Sequence, residues 1–169
     1  MKVSPIESTA AELVAAVSRY GRTDPKVLSM RLRLVEDLFA RCEDEDAIAA
    51  LDALVTDCEA DLGRNHETTL VLANNRAMKL AECGLSQGVE ELAALIPVAI
   101  DKWGLKDRRT LLIRSNFAAA TGMAGNYLDA AHQIETLLTE VDEGDSALAS
   151  TLRTNLASWR ARSSGGRDT

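Results

Sequence analysis

Aromatic residues are scarce in this chain: two Trp, two Tyr and two Phe among 169 residues. A core with so few rings must be filled by Ala, Leu and Val, and small side chains let helix axes approach closely. Proline is rarer still. Two of the three, Pro5 and Pro25, directly follow Ser4 and Asp24, where proline opens a helix instead of breaking one. The three cysteines, Cys42, Cys58 and Cys83, are odd in number and lack any CxxC spacing, so neither a disulfide framework nor a zinc knuckle fits them. Cys42 and Cys83 fall near the same point of successive segments and read as small buried thiols at helix–helix turns. No apolar run approaches the roughly 18–20 residues of a membrane span, and no signal-peptide core marks the first residues. The expected compartment is therefore the reducing cytoplasm, with no membrane partner. Runs of Lys or Arg are missing as well, and the formal charge is −7. That argues against nucleic acid as the main ligand, which needs a basic face, and the acidity reads as a solubility device.

Catalytic signatures are equally thin. No GxSxG, HExxH, P-loop or GxGxxG motif occurs. The two histidines, His66 and His132, lie in different segments. Adjacent carboxylates such as Glu90-Glu91 and Asp142-Glu143 splay about 100° apart on a helix and read as a solvated face. The expectation is a protein without catalytic residues, metal ligands or a cofactor.

What the chain does have is self-similarity. Val27-Leu28, Thr69-Leu70, Thr110-Leu111 and Thr151-Leu152 each precede a similar stretch, in three cases ending Asn-apolar-Ala or Asn-Arg-Ala. Taking Arg33, Asn75, Asn116 and Asn155 as equivalent gives spacings of 42, 41 and 39 residues. A period in that range points to stacked helical units, each burying its apolar face against its neighbours.

Cap chemistry divides the chain into eight helices. Ser4-Pro5-Ile6-Glu7 forms a capping box opening a helix that stops at Gly21. Asp24-Pro25 opens the next, to about Arg41. The acidic run 43–46 starts a third, ending near Leu62-Gly63, its carboxylates complementing the helix dipole. Asn65, Ser86, Asp107 and Asn126 read as caps of helices ending at Gly84, Trp103-Gly104, the stretch 122–125 and Glu143-Gly144. Asp145 starts the last, which frays into a flexible tail, 163–169. Pro97 should kink the helix that contains it.

The segment Asn116-Phe117-Ala118 through Gly125-Asn126-Tyr127-Leu128-Asp129-Ala130-Ala131 resembles the core of a tetratricopeptide repeat, with Ala118, Gly125, Tyr127 and Ala130 at the places of its small, turn and aromatic residues. Val35 and Ala47, Ala77 and Gly84, and Ala157 match more thinly. The long period, the junction Leu62-Gly63-Arg64-Asn65-His66-Glu67-Thr68-Thr69-Leu70, and the stretches Arg114-Ser115-Asn116-Phe117-Ala118 and Arg153-Thr154-Asn155-Leu156-Ala157 are similar to the kinesin-light-chain-like variety. That variety is common in bacterial arrays attached to NB-ARC-type signalling ATPases. Departures occur at Arg33, at Arg76, where an apolar residue is expected, and at Val89, where a small one is. The resemblance implies an all-α, right-handed superhelical solenoid of antiparallel helix hairpins. It would form one domain over 1–162, with a half-unit 5–20, units 25–62, 65–103 and 107–143, and a half-unit 145–162. Half-units at both ends would cap a free protein or mark a piece of a longer array.

The surface of such an array sets the functional expectation. Asn75, Asn116 and Asn155 share a face of the first helices with Met78, Ala119, Met123 and Ser158, and amides there offer donors and acceptors to a peptide backbone. The family resemblance implies that contact; an inter-repeat hydrogen bond between neighbouring first helices is the structural alternative, and both roles are compatible. Arg31, Arg114 and Arg153 lie two residues before the ladder, about 200° round the helix, so they are expected to pair with carboxylates instead. In the final helix Leu148, Leu152, Leu156 and Trp159 form one stripe, giving two expectations for Trp159: the cap of the stack, or the centre of a homodimer contact. The favoured function is a non-enzymatic scaffold binding a protein or peptide. The alternative is a ligand-sensing module of a signalling ATPase or transcriptional regulator with its output domain on another chain or missing.

Overall fold

The computed structural model describes residues 5–142 and 144–165, with side chains from 12 to 142 and from 144 to 164. Among them the chain is all-helical, as expected. The helices are α1 (Pro5–Tyr20), α2 (Pro25–Ala40), α3 (Asp44–Leu62), α4 (Glu67–Glu82), α5 (Ser86–Trp103), α6 (Arg108–Met123), α7 (Tyr127–Glu140) and α8 (Ser146–Gly165). No helix among the described residues is long and apolar enough to cross a membrane. Contacts gather the chain into two compact units, residues 1–72 and 73–169, a division inside α4 that the sequence does not mark within 1–162.

In the first unit α2 packs on α1 and on α3. Val27, Leu28 and Val35 of α2 are buried, as are Ala47, Leu51, Leu54, Val55 and Cys58 of α3. The α3 positions recur at i, i+4, i+7, i+8 and i+11, one stripe of a 3.6-residue helix. Each fully buried Leu there contributes roughly 1.5–3 kcal/mol relative to exposure.

In the second unit α6 packs on α5 and α7, and α8 packs on α7 and α6. Ala77 and Ala81 of α4 meet Leu92 of α5 and Ala120 of α6 in one core cluster. The other joins Leu111 and Ala118 of α6 with Ala130, Ile134 and Leu137 of α7 and the whole leucine stripe of α8. Small residues set the α4–α5 crossing: a Cβ at Gly88 would lie 2.4 Å from the Ala77 carbonyl oxygen. Gly88 is buried and stands 41 residues after Ala47 and 42 before Ala130, so it is the small crossing residue that the register sought at Val89.

The turn after each of α2, α4 and α6 closes by the same pair of backbone bonds. Glu43 N–H donates to Leu38 O and Cys42 N–H to Phe39 O; Leu85 and Gly84 do so to Leu80 and Ala81, and Asn126 and Gly125 to Thr121 and Gly122. This Schellman arrangement places its penultimate residue in the left-handed region. Gly84 and Gly125 take it with φ 77° and 92°, and Cys42 takes it with φ 60° although it carries a Cβ. Cys42 and Cys83 are both exposed, which corrects their reading as buried thiols; each stands beyond the last apolar turn, where the chain reverses in solvent. Cys58 is the buried one, and burial pushes its thiol pKa up.

Several ends differ from the cap signals. Asp24 and Asp107 cap α2 and α6, accepting from Lys26 and Arg109 N–H at 2.9 Å. At α4 the cap is His66, whose Nδ1 accepts from Thr68 N–H at 3.2 Å, and not Asn65. Leu85 occupies the cap of α5, and Ser86 is already helical. α7 stops at Glu140, three residues early, because Val141 turns extended and packs against the core. α8 continues through Ser163 and Ser164, expected in the tail, whose hydroxyls donate to the Arg160 carbonyl. α5 runs through Pro97, which is exposed, so its missing N–H falls on the solvent side. The expected cap Ser4, the expected end at Glu143 and the tail 166–169 lie outside the described residues.

Candidate functional site

Side-chain placement on α4, α6 and α8 follows from their order in the second unit. α6 lies against both others, through Ala120 on the α4 side and by direct packing on α8. The two asparagine turns of α4 and α6 meet: Asn116 Nδ2 donates to Asn74 Oδ1 at 3.0 Å, and Asn74 Nδ2 to Asn75 Oδ1 at 3.4 Å. Asn74 is 9% exposed, whereas Asn75 is open to solvent and Asn116 and Asn155 are half-buried. Sequence reasoning missed Asn74, the residue that bridges the helices. Its signal was the doubled amide itself, one member of which lies 42 residues before Asn116.

The remaining expected positions divide. Met123 is 39% exposed at the end of α6, Met78 is half-buried and Ser158 is exposed. Ala119 is buried and offers almost no surface, since α6 is the helix in the middle. Trp159 is 8% exposed, which removes the premise of an uncovered apolar end: Leu148, Leu152, Leu156 and Trp159 are all covered by their own chain. Its ring stacks on Tyr127 with centroids 5.9 Å apart, and the Arg162 guanidinium lies over it at 5.2 Å.

The arginines behave as structural partners. Arg31 Nη1 bonds Asp57 Oδ2 at 2.8 Å, and Arg114 holds Glu140 by two bonds, the residues of each pair 26 apart. The guanidinium of Arg114 holds the Glu140 carboxyl below the usual carboxylate range. The corresponding positions in α4 and α5 carry Ala73 and Val98, and the ion pair moves to Arg76 and Glu91, 2.8 Å apart, where Gln87 also donates to Glu91. That pairing accounts for the charged residue at position 76.

In the first unit a separate cleft of about 610 Å³ is lined by Thr23, Pro25, Leu28, Leu32, Leu62 and Val71 among others. Val71 is 43% exposed there. Among the described residues no group of three His, Cys, Asp or Glu is placed to hold a metal ion. No family model matches the chain, and no curated protein matches it.

Proposed function

We propose that this chain is a helical-repeat scaffold of the tetratricopeptide type, stacking antiparallel hairpins into a right-handed solenoid and binding an extended peptide along the face of α4, α6 and α8. The observation that carries this reading is the amide chain Asn75–Asn74–Asn116 linking two neighbouring helices. One hydrogen of Asn116 and the buried amide of Asn74 serve the helix–helix bond. The exposed Asn75 amide and the remaining Asn116 groups keep unused donor and acceptor capacity. Neighbouring helix axes lie about 8–10 Å apart and an extended strand advances about 3.3 Å per residue, so successive asparagines meet every third backbone group. Met78 and Met123 flank the amides with adaptable apolar contacts suited to varied side chains.

The test is selection from a displayed library of random peptides, followed by affinity measurement on one enriched peptide. Asn75→Ala with Asn155→Ala is expected to weaken that peptide at least tenfold while the melting temperature stays nearly unchanged. Enrichment of no peptide, or affinity that survives both substitutions, would overturn the reading.

A further inference from the structure

One face of α8 repeats a surface that is covered elsewhere. On α2 the positions i, i+3 and i+7 are Leu28, Arg31 and Val35; on α6 they are Leu111, Arg114 and Ala118. All six are buried or half-buried, and each arginine is bound by a carboxylate of the next helix. Aligned on Arg-x-Asn, the matching residues of α8 are Ser150, Arg153 and Ala157, each one place further from the helix start, and all three are exposed. Arg153 makes no ion pair among the described residues, and the helices packed on α8 are α7 and α6, both on its other side.

The covering helices share a pattern of their own. α3 brings the fully buried Ala47 and, ten residues on, Asp57; α7 brings the fully buried Ala130 and, ten residues on, Glu140. A small residue lets the helix axes close, and a carboxylate one helix-length away fixes the register by pairing the arginine. We propose that the Ser150–Arg153–Ala157 face of α8 docks an α-helix of a partner protein carrying a small residue with Asp or Glu ten positions later. Charge selects the occupant. In α1 the position matching Asp57 and Glu140 is Ala15, so a second copy presenting its first helix brings no carboxylate to Arg153. Replacement of leucine by Ser150 keeps the face wettable while it is empty and leaves Arg153 to set specificity. This surface lies about 200° from the asparagine face and does not depend on peptide binding there.

The probe is a synthetic peptide of the α7 sequence, Tyr127–Glu140, stapled on its outer face so that it is helical, and titrated into the whole protein by fluorescence anisotropy. Saturable binding is expected. Arg153→Glu should weaken it at least tenfold without shifting the melting temperature, and a probe carrying Glu140→Lys should recover binding to that variant. Absence of saturable binding up to millimolar probe, or binding indifferent to Arg153→Glu, overturns the proposal. Self-association of the protein that Arg153→Glu abolishes would overturn it too, by assigning the face to a second copy.

Discussion

Gly122 lies flat against the indole of Trp159: an ideal Cβ at position 122 would stand 2.5 Å from Cε2 of the ring, well inside any real carbon contact. The glycine is therefore a notch, and the ring filling it ties α8 to α6. Because the neighbouring atoms belong to a rigid, 8% exposed ring, the clash cannot be relieved by rotating a flexible tip.

Gly122→Ala should destabilise the protein by about 1–3 kcal/mol through overpacking. Trp159→Ala should cost roughly 3–5 kcal/mol. Urea denaturation with circular dichroism measures both. If Trp159→Glu altered sedimentation and left the unfolding midpoint in place, the residue would belong to an interface and not to this core.

Cys42 offers the opposite case, a position where the side chain is a burden. It holds the left-handed conformation that Gly84 and Gly125 hold at the matching turns. A residue with a Cβ loses about 1–2 kcal/mol there, and glycine returns part of the gain through its freer unfolded chain, roughly 0.5–1 kcal/mol. Cys42→Gly should thus stabilise by up to about 1 kcal/mol, a rise of roughly 2–4 °C for a chain of this size. Gly125→Ala should lose a comparable amount. Thermal melts of the two variants, read together, check the sign of both.

Much of this architecture was legible because periodicity and turn chemistry are local. Leu148, Leu152, Leu156 and Trp159 are spaced to share a face, and they do share a core. Asp24 and Asp107 are good caps in any context. What depended on neighbouring helices was not legible. The register at Val89 slipped by one because only packing distinguishes Gly88, pressed against Ala77, from the residue beside it. Arg76 looked like an irregularity until Glu91 and Gln87 stood opposite. Of the expected binding face, Asn116 reaches Asn75 only by way of Asn74, and that bridge, like the burial of Ala119, follows from α6 being flanked on both sides.

Acid sensitivity should centre on the paired carboxylates. Arg114 lowers the Glu140 pKa, chiefly by hydrogen bonding, and Asp61 is lowered in the same way by Arg22. A carboxyl whose folded pKa lies below its unfolded one binds fewer protons in the folded state, so stability rises with pH across that interval. The contribution is complete above the unfolded carboxylate range and is lost as pH falls through the folded value. Urea midpoints taken from neutral to about pH 3 should fall steadily, and Glu140→Gln should flatten that slope. A slope unchanged in the variant would place the acid sensitivity elsewhere.

Three helices place a residue at the same buried point of their first turn: Val27 in α2, Thr69 in α4 and Thr110 in α6. Thr110 repays its burial by donating its hydroxyl to the Ala99 carbonyl at 3.2 Å. The Thr69 hydroxyl is buried without a hydrogen-bond partner among the described residues. An unsatisfied buried hydroxyl costs about 1–3 kcal/mol, whereas valine keeps the branched shape and needs no partner. Thr69→Val should therefore stabilise by about 1 kcal/mol, and Thr110→Val should lose about 1 kcal/mol with its hydrogen bond to the Ala99 carbonyl. The two substitutions are chemically identical, so solvent-transfer differences cancel between them. Opposite shifts in the thermal midpoint are expected, and shifts of the same sign would show that the hydroxyl of Thr69 is satisfied in solution.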